Sequence, residues 1–107
     1  DDFTIMKEEP FGPLVPILTF KSFDEVIERA NDNDLGLCSY LYTNSMDKAH
    51  IGSEKLESGC VAVNTGVVAI AEAPFGGIKQ TGYGREGGSG AIKDYLNVKY
   101  THMGLKI

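Results

Sequence analysis

The sequence predicts an α/β fold in which a largely parallel sheet is flanked by helices. Segments with helical periodicity alternate with short apolar runs, in the order β-α-β-α-β, a long loop, then α-β. Each of the first two helices is preceded by a serine that can cap it. The chain has 107 residues, of which 42% are apolar and 23% charged, so it can form one domain of ordinary soluble composition.

The first strand is predicted over residues 14–20, where Pro16 favours a sheet edge or a bulge. Ser22 and Glu25 then form a capping-box pattern, in which each side chain can bond to the other's backbone amide. Apolar residues follow at the spacing of one helical face: Phe23, Val26, Ile27 and Ala30. The turn-forming segment 31–36 predicts the end of this helix.

A second strand is predicted over 37–43, a second helix from the cap at Ser45 to a stop at Gly59, and a third strand over 60–64. Eight of the thirteen glycines lie in 65–90, which predicts a long loop. A short helix is predicted over 88–96, with Ile92, Tyr95 and Leu96 facing inward. Residues 97–105 are predicted to form a closing strand.

Charge and composition exclude several classes of function. The net charge is −5 and no basic cluster occurs, which argues against a nucleic-acid or anionic-membrane surface. No apolar run is long enough for a membrane span. The chain begins without Met and is patterned from its first residues, so we expect a piece of a longer protein. Cys38 and Cys60 lie in apolar runs and predict buried free thiols in a reducing, cytoplasmic setting.

The segment Glu8–Pro13, EEPFGP, is a candidate binding element. Neighbouring side chains of an extended segment point to opposite faces, so at most one of Glu8 and Glu9 can face a site. Pro10 and Pro13 restrict the backbone and can fix the position of one carboxylate and of Phe11. A carboxylate can accept hydrogen bonds from both hydroxyls of a ribose diol. Two solvated glutamates before a turn remain the alternative.

Residues 73–86, APFGGIKQTGYGRE, form an organised loop. Residues 82–87 match G-x-G-x-x-G, but no strand–helix context surrounds them, so we reject a dinucleotide-binding loop. Lys79 and Arg85 can bind carbonyls or carboxylates and so hold the loop. A structural loop that packs against a neighbouring domain is an equal alternative.

The residues alone provide no catalytic set and no metal site. His50 and His102 have no triad-like context. Neither Cys38 nor Cys60 lies in an arrangement that would generate a nucleophilic thiolate. These observations leave an α/β chain with an acidic turn and a glycine-rich loop.

Four segments together resemble the NAD(P)-dependent aldehyde dehydrogenase superfamily: 8–17 (EEPFGPLVPI), 29–43 (RANDNDLGLCSYLYT), 59–66 (GCVAVNTG) and 73–88 (APFGGIKQTGYGREGG). The resemblance covers the whole chain and is specific, because E-x-F-G-P precedes P-F-G-G-x-K-x-S/T-G-x-G-R-E at the family's distance. The residues of these segments are most similar to those of the succinate-semialdehyde dehydrogenase-like branch. The resemblance implies that residues 1–96 are the C-terminal portion of the catalytic domain and that residues 97–107 are an oligomerisation strand. It also implies that the full-length protein is a dimer or tetramer.

The resemblance also implies roles for single residues. Glu9 would bind the nicotinamide ribose of NAD or NADP, with Phe11 beside it and Glu8 facing elsewhere. The substrate pocket would be lined by Asn64, Ala69, Ile70 and Phe75. The family's nucleophilic Cys, general-base Glu and oxyanion-binding Asn lie upstream, so this chain alone is expected to be inactive.

One departure bears on the substrate. The semialdehyde branch usually carries a Ser near positions 69–70 that helps to hold the substrate carboxylate, and this chain has Ala69 and Ile70. Losing a hydrogen bond to a charged group costs about 1.5–3 kcal/mol. Succinate semialdehyde and a less polar aldehyde therefore both stay open as substrates.

The alternatives of a different functional class are a non-catalytic self-association module and a free-standing small-molecule-binding domain.

Overall fold

The computed structural model describes residues 3–106. Two α-helices, α1 (Phe23–Asn31) and α2 (Met46–Lys55), alternate with four short strands: β1 (Leu35–Gly36), β2 (Cys38–Leu41), β3 (Cys60–Val63) and β4 (Ile78–Lys79). Two 3-10 helices, Thr4–Met6 and Ala91–Tyr95, lie near the two ends of the described chain. The alternation of helices and strands confirms the predicted α/β organisation in the central part of the chain.

Both α-helices begin at the predicted caps. The Ser22 hydroxyl accepts from the Glu25 amide at 3.2 Å, and the Ser45 hydroxyl accepts from the Lys48 amide at 3.3 Å. The Glu25 carboxylate reaches back to the Lys21 amide at 2.8 Å, one residue before the expected partner. Each cap satisfies an amide that has no partner within the helix.

Helix α2 ends at Lys55, four residues before the predicted stop at Gly59. The Asn31 amide group donates to the Lys55 carbonyl at 2.8 Å, and its oxygen accepts from the Glu57 amide at 2.9 Å. The side chain of a distant residue therefore terminates the helix, and the glycine C-cap that we predicted is not used.

The strands form two separate pairs. β2 and β3 are parallel, with Cys38 opposite Cys60 and Leu41 opposite Val63, and α2 provides the crossover between them. β1 and β4 are antiparallel, with Leu35 opposite Lys79. A largely parallel sheet was predicted, and the described residues instead contain one parallel and one antiparallel pair. The antiparallel strand β4 lies inside the segment predicted to be a loop.

Helix α2 packs closely against α1 and β2. A Cβ atom on Gly52 would lie 2.6 Å from Leu41 Cδ2 and 3.3 Å from Phe23 Cζ, so glycine permits this approach. The buried apolar side chains among the described residues are Ile27 on α1 and Ala62 on β3, at 7% and 4% exposure. The core is thus small and lies between the two helices and β3.

Three predicted elements differ from the structure. Residues 14–20 and 97–105 form no ladder within the described part of the chain. A strand needs a partner for its backbone groups, and neither segment meets one here. The helix predicted over 88–96 is only the 3-10 helix Ala91–Tyr95. Its expected inward residues are exposed: Ile92 (60%), Tyr95 (84%) and Leu96 (61%).

The chain is elongated. Its Cα radius of gyration is 19.6 Å, and its principal extents are 75 × 34 × 23 Å. A compact domain of this length has a radius of gyration of about 13 Å. None of the helices within residues 3–106 combines the length and the apolar character that crossing a membrane requires.

Candidate functional site

Glu8 and Glu9 line an open groove of about 660 Å³, together with residues at the start of β2 such as Cys38 and Ser39. The Glu8 amide bonds to the Thr4 carbonyl at 2.9 Å, so the chain here curls off a 3-10 helix and is not extended. Both glutamates are among the residues that line this groove, and the expectation that Glu9 serves the site while the Glu8 carboxylate faces elsewhere stays a prediction. Phe11 is 92% exposed and is not among the residues that line the groove.

Asn64 follows β3 and has a left-handed φ of 56°. Its amide oxygen accepts from the Thr43 amide at 2.9 Å, and its amide nitrogen donates to the Thr43 carbonyl at 3.0 Å. Its backbone amide also bonds to the Leu41 carbonyl at 2.8 Å. Asn64 thus continues the β2–β3 pairing with its side chain and fixes where the following loop departs.

The loop after Asn64 carries Ala69 and Ile70. Both are exposed, Ile70 at 52%. The loop returns to the fold through a bond from the Gly88 amide to the Ala71 carbonyl at 2.9 Å. Neither Ala69 nor Ile70 carries a polar side chain, so their contribution to a ligand site is apolar surface.

Phe75 lies in a turn that Arg85 closes. Phe75 and Glu86 exchange two backbone hydrogen bonds, of 2.8 and 2.7 Å. Arg85 Nη1 donates to the Gly77 carbonyl at 2.8 Å and to the Gly84 carbonyl at 2.7 Å, and so joins the two limbs of the turn. Gly82, Gly84 and Gly87 have left-handed φ values within this turn. The prediction that Arg85 holds the loop is confirmed.

Lys79 is the second anchor of this loop, also as predicted. Its ammonium donates to the carbonyls of Asn31 and Asn33 at 2.8 and 3.0 Å, and it pairs with Glu57 at 2.6 Å. Lys79 has a left-handed φ of 56°, an uncommon conformation for a side chain of this size. The ammonium therefore ties β4 to the end of α1 and to the segment after α2.

The predicted site residues lie in two regions. The groove at Glu9 and a second groove of about 680 Å³ at Phe75 share Leu37 and Thr81 in their walls. Asn64, with the loop of Ala69 and Ile70, instead follows the carboxyl end of β3. The Phe75 turn meets the amino end of that strand, since Cys60 Sγ lies 3.8 Å from the Gly76 carbonyl oxygen. The groove that Glu9 lines thus adjoins the groove at the Phe75 turn, and Asn64 lies at the other end of β3.

The cysteines are free and half-buried, which is less burial than we predicted. Burial raises the pKa of the Cys38 thiol, and the neighbouring Cys60 raises it further. His102 Nδ1 lies 3.2 Å from the Tyr100 hydroxyl. Within residues 3–106, no three His, Cys, Asp or Glu side chains are grouped to hold a metal ion.

Two structural residues were missed by the sequence analysis. Asn31 terminates α2, and Thr81 Oγ1 accepts from the Gly36 amide at 2.8 Å, which supports the edge of β1. Asn31 has a weak signal, because it opens the Asn-Asp-Asn-Asp turn and such side chains often bond to backbone groups. Nothing local identifies the partner of Thr81, since the two residues are 45 positions apart.

Comparison with known proteins finds relatives that are named as dehydrogenases of aldehydes. The chain is 46% identical over 101 residues to succinate-semialdehyde dehydrogenase (NADP(+)) GabD of Escherichia coli, covering 94% of this chain and 21% of that protein. It is 49% identical over 100 residues to 3-sulfolactaldehyde dehydrogenase of Pseudomonas putida, covering 94% and 21%. The chain thus spans about a fifth of the length of the curated relatives that it matches.

Solved structures share the fold of this chain. The structure of succinate-semialdehyde dehydrogenase from Burkholderia pseudomallei matches with a TM-score of 0.85 and 46% identity, covering 88% of this chain and 20% of that one. The NAD+ complex of aldehyde dehydrogenase from Bacillus cereus matches with a TM-score of 0.87 and 48% identity, covering 92% and 20%. The model of the aldehyde dehydrogenase family matches residues 1–101. The chain therefore belongs to the aldehyde dehydrogenase family.

Proposed function

We propose that this chain is the C-terminal part of a longer aldehyde dehydrogenase subunit, which oxidises an aldehyde to the carboxylic acid with NAD or NADP. The observation that carries the proposal is the family match over residues 1–101 in a chain that spans about a fifth of its relatives. The sparse core supports it, because large apolar side chains such as Val15 (81%) and Ile17 (87%) are exposed. A larger subunit would cover them.

Glu9 and Phe11 fit a role at the nicotinamide ribose. In the described part of the chain, no hydrogen bond or ion pair uses the Glu9 carboxylate, so it is available to accept from a diol. The exposed ring of Phe11 offers an apolar face beside it. The cofactor, when bound, accepts a hydride from the substrate. The contribution of Glu9 is to hold the ribose and so fix the orientation of the nicotinamide.

The substrate side of the proposal rests on Asn64, Ala69, Ile70 and Phe75. Asn64 places the loop of Ala69 and Ile70 through its two bonds to Thr43. Phe75 contributes an aromatic wall that the Arg85 bridge holds in place. The remaining lining, the catalytic nucleophile and the general base come from the upstream part of the subunit. This chain alone is expected to be inactive.

The substrate class that we propose is a short aldehyde with an anionic group at the far end. Relatives of this chain are named for succinate semialdehyde, glutarate semialdehyde and 3-sulfolactaldehyde. Each of these aldehydes carries a carboxylate or a sulfonate. Ala69 and Ile70 cannot bond to such a group, so upstream cations would bind it. Succinate semialdehyde is the first candidate. Turnover of this substrate and of an uncharged aldehyde of equal length, each with NAD+ and NADP+, tests the class.

Glu9→Gln in the longer subunit tests the ribose role. We expect kcat/KM for the cofactor to fall about tenfold, because hydrogen bonds to a charged acceptor are worth about 1.5 kcal/mol or more. Stopped-flow formation of the reduced cofactor measures the hydride-transfer step. Glu8→Gln is the matched control and should leave this step within about twofold of wild type. Equal kinetics of Glu9→Gln and wild type would contradict the assignment.

We also propose that residues 97–107 are the oligomerisation strand of a dimer or tetramer. Residues 97–106 have no strand partner in the part of the chain described, and the side chains of Val98, Tyr100 and Leu105 are exposed at 101%, 84% and 87%. Such an edge is a template for pairing with another chain. Removing 97–107 from the longer subunit should reduce its native mass in light scattering. An unchanged mass would contradict this role and leave the catalytic proposal standing.

A further inference from the structure

The two cysteines are direct partners across the parallel pair of strands. Cys38 is the first residue of β2 and Cys60 the first residue of β3, and the two Cα atoms are in register. Neighbouring strands lie about 4.8 Å apart. A disulfide accepts Cα separations of about 4.4–6.8 Å. Residues paired in register point to the same face of a sheet, so the backbone places both thiols for a bond with each other.

The side chains agree with the backbone. Both thiols are free and half-buried in the described chain. Burial is the main reason for the raised pKa of Cys38, and the charge of Cys60 and a hydrogen bond with it are the further reasons. These causes agree with the register of β2 and β3, which places the two thiols side by side. Neither thiol has a role in the function proposed above.

We propose that Cys38 and Cys60 form a paired-thiol modification site, which a low-molecular-weight disulfide oxidises to a cross-strand disulfide. The Cys60 thiolate attacks one sulfur of the oxidant, forms a mixed disulfide and releases one thiol. Cys38 then loses its proton and attacks Cys60 Sγ, which releases the second thiol. The protein loses two electrons and two protons, and the oxidant is reduced to two thiols.

Closure of this bond reaches the Phe75 turn. In the reduced form Cys60 Sγ lies 3.8 Å from the Gly76 carbonyl oxygen, the carbonyl next to Phe75 in the chain. Disulfide formation removes the thiol hydrogen that this carbonyl can accept. Oxidation therefore both cross-links β2 to β3 and removes a contact between β3 and the turn.

The test uses the native protein that contains this chain, with glutathione disulfide as the probe. After reaction, free thiols are blocked with N-ethylmaleimide, and a non-reducing digest is analysed by mass spectrometry. We expect a peptide in which Cys38 and Cys60 are linked, with the loss of two hydrogen atoms, and we expect dithiothreitol to release it. Mapping by peptide separates this pair from every other cysteine in the protein.

The single variants Cys38→Ser and Cys60→Ser are the controls. Each should retain one glutathione on its remaining thiol, because the second thiol that would expel it is missing. Stable glutathione adducts on both cysteines of the native wild-type protein would overturn the proposal. So would a linked peptide that forms only after denaturation, a link from either cysteine to a different residue, or the absence of reaction at both thiols.

Discussion

At the scale of single residues, the local order of this chain depends on side chains that bond to backbone groups. Lys79 and Arg85 each donate to two carbonyls, and the amides of Asn31 and Asn64 each make two bonds to backbone groups. Each such bond contributes about 0.5–1.5 kcal/mol net. Polar side chains thus compensate in part for the small apolar core.

Lys79→Met should loosen the β1–β4 pair. The change removes two hydrogen bonds worth about 0.5–1.5 kcal/mol each and a partly exposed ion pair worth about 0–1 kcal/mol. The amide of Gln80, which bonds to the Asp34 carbonyl at 2.9 Å, is a local probe. Its hydrogen exchange in the longer subunit should become at least about tenfold faster. Glu57→Gln removes only the ion pair, and equal effects of the two variants would contradict this division.

The reactivity of Cys38 should depend on pH as a raised pKa requires. The thiolate is the nucleophile, and the pKa of Cys38 lies above the ordinary 9.0, so alkylation at pH 8 should be slower than for a free thiol. The rate should still increase with pH above 9.0. Cys60→Ala removes two causes of the shift and leaves burial, so Cys38 should then react faster at each pH. Quantitative mass spectrometry of iodoacetamide labelling measures both rates, and a rate that levels off below pH 9.0 would be inconsistent with the shift.

The residue-level features differ in how far the sequence could reveal them. Ser22 and Ser45 were predictable as caps because each bonds to an amide three positions away. Lys79 and Arg85 were predictable as anchors because the glycine-rich loop has few other side chains that can donate hydrogen bonds to backbone carbonyls. The bonds of Asn31 to Lys55 and Glu57 span 24 and 26 positions, and no local pattern encodes them.

At the scale of elements, the contact between β3 and the Phe75 turn depends on glycine. A Cβ atom on Gly59 would lie 1.7 Å from the Gly76 carbonyl oxygen, a backbone atom that no rotamer change can move away. Gly59→Ala should therefore destabilise the longer subunit by about 3 kcal/mol or more, or displace the turn. Gly90→Ala is the control, since a Cβ there meets nothing within 4 Å.

Thermal unfolding of both variants tests this contact. The Gly59→Ala protein should unfold at a clearly lower temperature and show a raised KM for the aldehyde, because Phe75 moves with the turn. The Gly90→Ala protein should stay close to wild type. Equal midpoints for the two variants would mean that β3 and the turn are not packed together as described.

Helices were easier to predict than strands. The period and the caps of α1 and α2 are local, so their starts were found to the residue. Strand formation needs a partner. β4 was missed because its partner β1 is distant in sequence, with α2 and β3 between them. Residues 14–20 and 97–105 have strand-like composition and no partner among the described residues.

At the scale of the whole molecule, exposed apolar surface outweighs the core. A chain whose buried apolar residues within 3–106 are Ile27 and Ala62, and whose radius of gyration is 19.6 Å, should not fold cooperatively by itself. We expect the isolated chain to show weak helical circular dichroism and to aggregate in size-exclusion chromatography with light scattering. A monodisperse particle with a sharp urea transition would instead support the self-association module.

The candidate site was also predictable only in part, because we propose that the rest of a longer subunit completes it. The motifs around Glu9 and Phe75 indicate a family, and the grooves that these two residues line share Leu37 and Thr81 in their walls. Asn64 and the loop of Ala69 and Ile70 lie at the other end of β3. In the longer subunit that we propose, their relation to Glu9 would depend on residues outside these 107.

The two strand pairs also imply an order of assembly. The β2–α2–β3 unit closes over a short stretch of chain, since Thr43 and Asn64 are 21 positions apart, whereas Gly36 and Thr81 are 45 positions apart. Local contacts form faster, so the parallel unit should nucleate first and β4 should dock onto it later. Doubling a loop costs only about 0.6 kcal/mol in closure entropy. The longer connection therefore delays the arrival of the Phe75 turn far more than it weakens the finished structure.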